Sequence, residues 1–334
     1  MTPNGGNGQL GRGIIGPGRI AVRIARALVD NPRGRLLAVA SRDRERGAAF
    51  AARHGAATAY TDYDKLLADP AIDVVYIALP NSLHAAWTER ALDAGKHVLC
   101  EKPFAMSVEE VDRVAAAAAR NDRIAVEAFM YLHHPQTALA LEIARSGRLG
   151  DLQVVSAAFS FFLDYPNDPR VDASLGGGSL WDVGCYPVSI SRRIADEEPD
   201  GVAGFARFDA SGVDRAFVGA LHFPSGLVAH FESGFGAPDR ERVEIVGSEA
   251  TLTIAHPFLP EPDGPPPRMT IRRDGADETE EVESVDDYRA EVDDLQAAIL
   301  DGAPPRVSLD FTRGSIATLV ALDRAARAAS GVVT

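Results

Sequence analysis

Lysine is nearly missing from this chain. Of 34 basic side chains only Lys65, Lys96 and Lys102 are lysines, so arginine carries almost every generic positive charge. Cysteine is scarce as well. Cys100 and Cys185 are the only thiols, too few for a disulfide framework, and reduced thiols in a cytoplasmic protein are expected. No window of about 18 apolar residues is without charge, which excludes a transmembrane helix. Residues 1–12 (MTPNGGNGQLGR) hold no apolar stretch of the kind a secretory leader needs, and they read as a flexible polar leader. A basic face is missing too. The 34 basic and 48 acidic side chains leave a net charge of −14. Most of that lies in one half: residues 1–150 carry 19 basic and 16 acidic side chains (+3), whereas residues 151–334 carry 15 and 32 (−17). Phosphate backbones need the opposite sign, so neither nucleic acid nor membrane is an expected partner.

The length of 334 residues suits two domains at roughly 150 residues each. The first half alternates strands and helices. Residues 12–15, 35–40, 73–79, 97–100 and 124–127 read as strands. Helices are expected at 20–29, 44–54, 83–94 and 108–120. Continuous apolar runs such as 73–79 (DVVYIAL) mark strands buried on both faces, and the βαβα order predicts a doubly wound parallel sheet. Long alternating runs follow at 152–162, 201–209, 215–223, 226–236 and 242–254, with helices at 179–194, 287–301 and 311–329. These predict a mainly antiparallel sheet with its own helices. Residues 257–267 read as a Pro-rich surface loop, and Asp277 to Glu283 as solvated charge. The expected division is a leader over 1–12, a dinucleotide-binding domain over 13–133 and a substrate and assembly domain over 134–334.

The first strand runs into Gly16-Pro17-Gly18-Arg19-Ile20-Ala21, the pattern G-x-G-x-x-A. Gly16 permits a tight turn, Gly18 lets the backbone approach a pyrophosphate, and Ala21 lets helix and strand pack closely. The second strand ends Ala40-Ser41-Arg42 rather than on an acidic residue. Ser41 and Arg42 can take a 2′-phosphate, which favours NADP over NAD. Lys102 follows the strand at 97–100, at a strand end that faces the ligand crevice in such sheets. Unlike arginine, it can titrate. In the second half, Gly176-Gly177-Gly178 permits close approach to a flat ligand, and Asp182 and Tyr186 share one helix face. Lys102, Asp182 and Tyr186 form a proton-transfer set. Lysine would lower the tyrosine pKa, aspartate would hold the substrate hydroxyl or the lysine, and tyrosine would exchange the proton.

Four segments together, GIIGPGRIA, ASR, EKP and GGGSLWDVGCYP, resemble the glucose–fructose oxidoreductase / inositol dehydrogenase (Gfo/Idh/MocA) family, over about residues 10–330. The resemblance implies an N-terminal Rossmann domain and a C-terminal α/β domain with a large open-faced sheet that makes dimers or tetramers. It implies catalytic roles for Lys102 and Asp182, and a cis bond before Pro103. Further cofactor contacts are implied at Arg19, Ile20, Leu79, Pro80, Asn81, His84, Glu101, Ala128 and Trp181. Tyr186, in place of histidine, is similar to the dihydrodiol dehydrogenase, D-xylose dehydrogenase and sugar 3-ketoreductase branch, as is Glu127-Ala128-Phe129-Met130-Tyr131. Leu132-His133-His134-Pro135-Gln136 is similar to a deoxysugar 3-ketoreductase pattern, and no third ligand at metal spacing accompanies the two histidines. The implied activity is hydride transfer between NADP and a sugar, cyclic polyol or vicinal diol. A cofactor-sensing regulator on the same fold is the alternative. The presence of Lys102, Asp182 and Tyr186 favours catalysis.

Overall fold

The computed structural model describes residues 9–165 and 168–331. Most of the expected leader, residues 1–8, lies outside them. Its remainder is not a leader. Strand β1 (Leu10–Ile15) already starts at Leu10, because Gly11 and Arg12 pair in register with the second strand. Arg12 is buried and donates to the Val292 carbonyl, a partner too distant in sequence to be foreseen.

The chain folds as two compact units. The first runs up to His133 and adds Asp286–Arg313; the second holds His134–Val285 and the chain from Gly314 on.

The first unit carries β1, α1 (Ala21–Ala27), β2 (Gly34–Ala40), α2 (Arg44–His54), β3 (Thr58–Tyr60) and α3 (Tyr63–Leu67). Then come β4 (Val74–Ile77), α4 (His84–Asp93), β5 (His97–Glu101), α5 (Val108–Asn121) and β6 (Ala125–Ala128). All six strands are parallel, in the order β3-β2-β1-β4-β5-β6. Central β4 is buried at every position, as a strand covered on both faces must be. Helix α2 starts where the Asp43 carboxylate accepts from the Arg46 amide and stops at left-handed Gly55. Helix α1 is shorter than its pattern predicts, with Asp30 left-handed just beyond its end. The unit is completed by α8 (Asp287–Asp301), which packs on α1.

The second unit holds α6 (Pro135–Arg145), β7 (Leu152–Phe162), α7 (Cys185–Ala195), β8 (Gly201–Phe208), β9 (Asp214–His222), β10 (Val228–Gly234) and β11 (Gly236–Gly247). It continues through β12 (Thr251–Ile254), β13 (Arg268–Arg273) and β14 (Ala276–Glu281); α9 (Leu309–Ser330) crosses from the first unit into the second. The eight strands run β14-β13-β12-β11-β7-β10-β9-β8, antiparallel except at β7 and β10. The single run expected at 242–254 is two strands joined by a turn at Gly247–Ala250. Strand β14 (ADETEE) forms at the expected solvated stretch; it is an exposed edge with no apolar alternation to announce it.

Candidate active site

In the first unit the candidate cofactor residues line one edge of the parallel sheet, the edge of strand C-termini. Gly16 to Ile20 follow β1, Ser41 and Arg42 follow β2, Leu79 to Asn81 follow β4, Glu101 and Lys102 close β5, and Ala128 closes β6. Because β1 lies between β2 and β4, the glycine turn sits where the strand order reverses, the ligand crevice of such sheets. Gly16 has φ +89°, and a Cβ there would fall 2.5 Å from the Ala78 carbonyl oxygen. A Cβ on Gly18 would meet nothing within 4 Å. Protein packing therefore demands Gly16, whereas the space over Gly18 is open, as a backbone meant to meet a ligand requires. Helix α1 follows at once, with no side chain capping its first amides, an arrangement that receives phosphate. The Ser41 hydroxyl is buried and accepts from the Asp43 amide at 3.2 Å, while Arg42 is exposed.

His84 ties two of these loops together. Its Nδ1 lies 2.7 Å from the Pro103 carbonyl oxygen and its Nε2 lies 2.7 Å from that of Leu79. Burial pushes its pKa down, the two carbonyls oppose this, and the Lys102 charge adds to the lowering. The Lys102–Pro103 bond is cis, in agreement with the resemblance. Glu101 is buried and accepts from the Tyr76 hydroxyl. The other two lysines serve elsewhere. Lys65 is exposed, and Lys96 donates to the Asp69 and Ile72 carbonyls at 2.8 Å each. A lysine in this arginine-rich chain is thus no marker of proton transfer in itself; Lys96 caps two backbone carbonyls.

Trp181, Asp182 and Tyr186 belong to the second unit. The expected helix at 179–194 is not uniform: Leu180–Gly184 wind as a π-helix, a form common at functional sites, and α7 continues from Cys185. Its start is fixed by Asp214, which sequence reasoning left unremarked just ahead of the strand expected at 215–223. The buried Asp214 carboxylate accepts from the Ser179 hydroxyl at 2.6 Å and the Leu180 amide at 2.9 Å. Burial pushes its pKa up to about 6. The triple glycine serves packing. A Cβ on Gly177 would fall 2.6 Å from the Arg170 carbonyl oxygen, and one on Gly178 would fall 2.2 Å from Asp214 Oδ1. Tyr186 is buried edge-on to Phe159, with ring centres 5.2 Å apart, and near Phe258 at 5.4 Å. Asp182 lies 3.8 Å from Arg170 Nη1. His134 Nδ1 accepts from the Gln136 amide at 3.0 Å and caps α6.

Comparison with known proteins bears on both units. Residues 10–129 match the model of the Gfo/Idh/MocA oxidoreductase family with an NAD-binding Rossmann fold, and residues 137–253 match the model of that family's C-terminal domain. A D-xylose 1-dehydrogenase (NADP(+)) from Haloferax volcanii is 36% identical over 96% of this chain and 98% of its own. A solved 3-ketoreductase from Actinomadura kijaniata, in complex with NADP and TDP-benzene, superposes with a TM-score of 0.90 at 29% identity, over 95% of this chain and 98% of its own. An aldose-aldose oxidoreductase from Caulobacter crescentus superposes with a TM-score of 0.88 at 29% identity, over 96% and 98%.

Proposed function

The chain belongs to the Gfo/Idh/MocA family of oxidoreductases, and from that premise we propose that Lys102, Tyr186 and Asp182 handle the proton that accompanies its hydride transfer. The protein is a nicotinamide-dependent oxidoreductase acting on a sugar-type CH–OH carbon or the corresponding ketone, with NADP as its cofactor. When bound, the nicotinamide supplies the carbon that takes or gives the hydride. Lys102 is assigned as the cation that eases loss of the tyrosine proton, because lysine offers a compact charge that can also titrate. Tyr186 is assigned as the group that exchanges the proton. Its ring is fixed by Phe159 and Phe258, which leaves little freedom to misplace the hydroxyl. Asp182 is assigned to hold the substrate hydroxyl. The observation that carries the reading is Lys102 at the end of β5, on the sheet edge that also bears the open backbone of Gly18. Gly16, Gly18, Arg19 and Ile20 are assigned to the pyrophosphate, and Ser41 and Arg42 to the 2′-phosphate. Leu79, Pro80, Asn81, His84, Glu101, Ala128 and Trp181 are assigned to shaping the nicotinamide side.

The substrate is proposed to be a pyranose, cyclic polyol or vicinal diol; the relatives' names cover an aldose, a keto-deoxysugar and a dihydrodiol. None of those names describes a regulator. Two buried thiols and no membrane-spanning helix among the described residues fit a cytoplasmic setting. A homo-oligomer through the second unit's sheet completes the proposal. A panel of aldoses, polyols and diols, read by nicotinamide absorbance with NADP and with NAD, tests it. Lys102→Arg and Tyr186→Phe should each lower kcat on the best substrate by about 10²–10⁴. NADP affinity should stay within a few-fold, and the double variant should lose less than the product of the two. Near-native kcat in either single variant would make that residue structural.

A further inference from the structure

We infer, building on the assignment of Asp182 to the substrate, that Arg170 is a positioning residue which sets the placement and charge balance of the Asp182 carboxylate. Arg170 lies in the short 3-10 turn Pro169–Val171, ahead of the triple glycine. Its guanidinium is held on three sides. Nε and Nη2 donate to Asp168 Oδ1 and Oδ2, each at 2.8 Å, a two-pronged contact that fixes the plane of the fork. The Asp168 carboxylate also accepts from the Arg170 amide at 3.0 Å, so it caps the turn and anchors the side chain together. The guanidinium carbon lies 5.2 Å from the centre of the Phe161 ring. The remaining nitrogen, Nη1, is directed at Asp182 Oδ2.

The backbone binds the same parts together. The Gly178 amide donates to the Arg170 carbonyl at 3.0 Å, and Gly177 packs so closely on that carbonyl that no side chain fits. Turn, glycine loop and π-helix therefore hold fixed relative positions. At 3.8 Å the contact with Asp182 is an attraction between charges rather than a hydrogen bond. It is not a surface pair: the side chains of Asp168, Arg170 and Asp182 are 10%, 28% and 15% exposed. Partial shielding from water strengthens such an attraction. Arginine suits the post because one planar cation can grip Asp168 with two donors and still present a third to Asp182, which an ammonium cannot do in one geometry.

The test is a set of variants assayed with the best sugar or diol substrate at saturating NADP: Arg170→Met, Arg170→Lys, Asp168→Asn, Asp182→Asn and the double variant Arg170→Met with Asp182→Asn. NADP affinity and melting temperature are measured alongside. Arg170→Met should lower kcat/KM by about 10- to 100-fold, the range of a lost charged contact, with NADP affinity unchanged within threefold. Arg170→Lys should recover part of the loss, and Asp168→Asn should show a smaller one. With asparagine at 182, the Arg170→Met change should cost less than about threefold, since the two groups act as one unit. Arg170→Lys and Asp168→Asn keep a cation in place and carry the test if Arg170→Met fails to fold. Unchanged kcat/KM in Arg170→Met, or a full and additive loss in the double variant, overturns the inference while the role of Asp182 stands. Unchanged kcat/KM in Asp182→Asn overturns that role and the inference together.

Discussion

Gly16 and Gly18 lie two residues apart and are glycines for different reasons. Gly16 is left-handed and pressed against the Ala78 carbonyl; Gly18 faces open space. A side chain at 16 collides with the protein, and one at 18 collides only with what the protein binds. Gly16→Val should therefore lower the melting temperature. Gly18→Val should keep it within ~2 °C yet weaken NADP by at least ~10-fold, about 1.4 kcal/mol. Calorimetry of both variants checks this, and equal melting losses would refute it. Arg42 permits a sharper comparison between cofactors. Arg42→Ala should cost NADP about 1.5–3 kcal/mol, the worth of a charged hydrogen bond, and leave NAD nearly untouched. Equal losses for both cofactors would remove the 2′-phosphate contact. Both expectations could be formed from the sequence, because a glycine turn and the residue after a strand are local features. Asp214 could not be found that way. Its partner Leu180 lies 34 positions away, and nothing in Val213-Asp214-Arg215 signals it.

Helix α8 was legible to the residue, since Asp286 caps it and Gly302 closes it in the left-handed conformation. Its buried acids were not. Glu291 is buried with no hydrogen-bond partner for either carboxylate oxygen among the described residues. Burial, and then the charge of Glu101, push its pKa far up. Asp287 is pushed up to about 7, first by burial and then by Asp286, with Arg23 pulling slightly the other way. The folded protein thus holds a proton on Asp287 that the unfolded chain releases near pH 4. Between those values the folded state binds more protons, so stability falls as pH rises through the window up to about 7. Asp287→Asn keeps an acceptor for the Tyr288 amide and removes the titration. The loss of melting temperature from pH 5 to pH 8 should be smaller in the variant, by ~2 °C or more. An unchanged pH slope would sink the idea. The π-helix before α7 was illegible for a related reason: the 3.6-residue pattern continues through it, and only the Asp214 cap shows where the winding changes.

At the scale of the molecule, the two sheets followed from the apolar pattern of their longer strands, because burial on one face or both writes a period into each strand, whereas the strand order and the strands β3 and β13 did not. The edge strand β14 has no buried face and left no such trace. One face of the second sheet bears α7 and α9, whereas Phe205 and Val218, paired across β8 and β9, are 67% and 54% exposed on the other. Exposed apolar side chains on the last two strands of a long sheet call for a cover, and a second copy of the same face would supply one. Sedimentation at micromolar concentration should show a dimer or larger, and Val218→Arg should shift it toward monomer. A wild-type monomer would contradict the assignment. The division of the chain carries a consequence for inheritance. The first unit is written in two separated stretches, and its second stretch supplies contacts to the first: Asp293 to Asn31, Asp301 to Arg33, and Thr312 to Glu127. A single recombination crossover near residue 133 would pass on a nucleotide-binding half without α8. In its descendants the two units must be exchanged through three junctions, after residues 133, 285 and 313, never as a simple fusion of front to back.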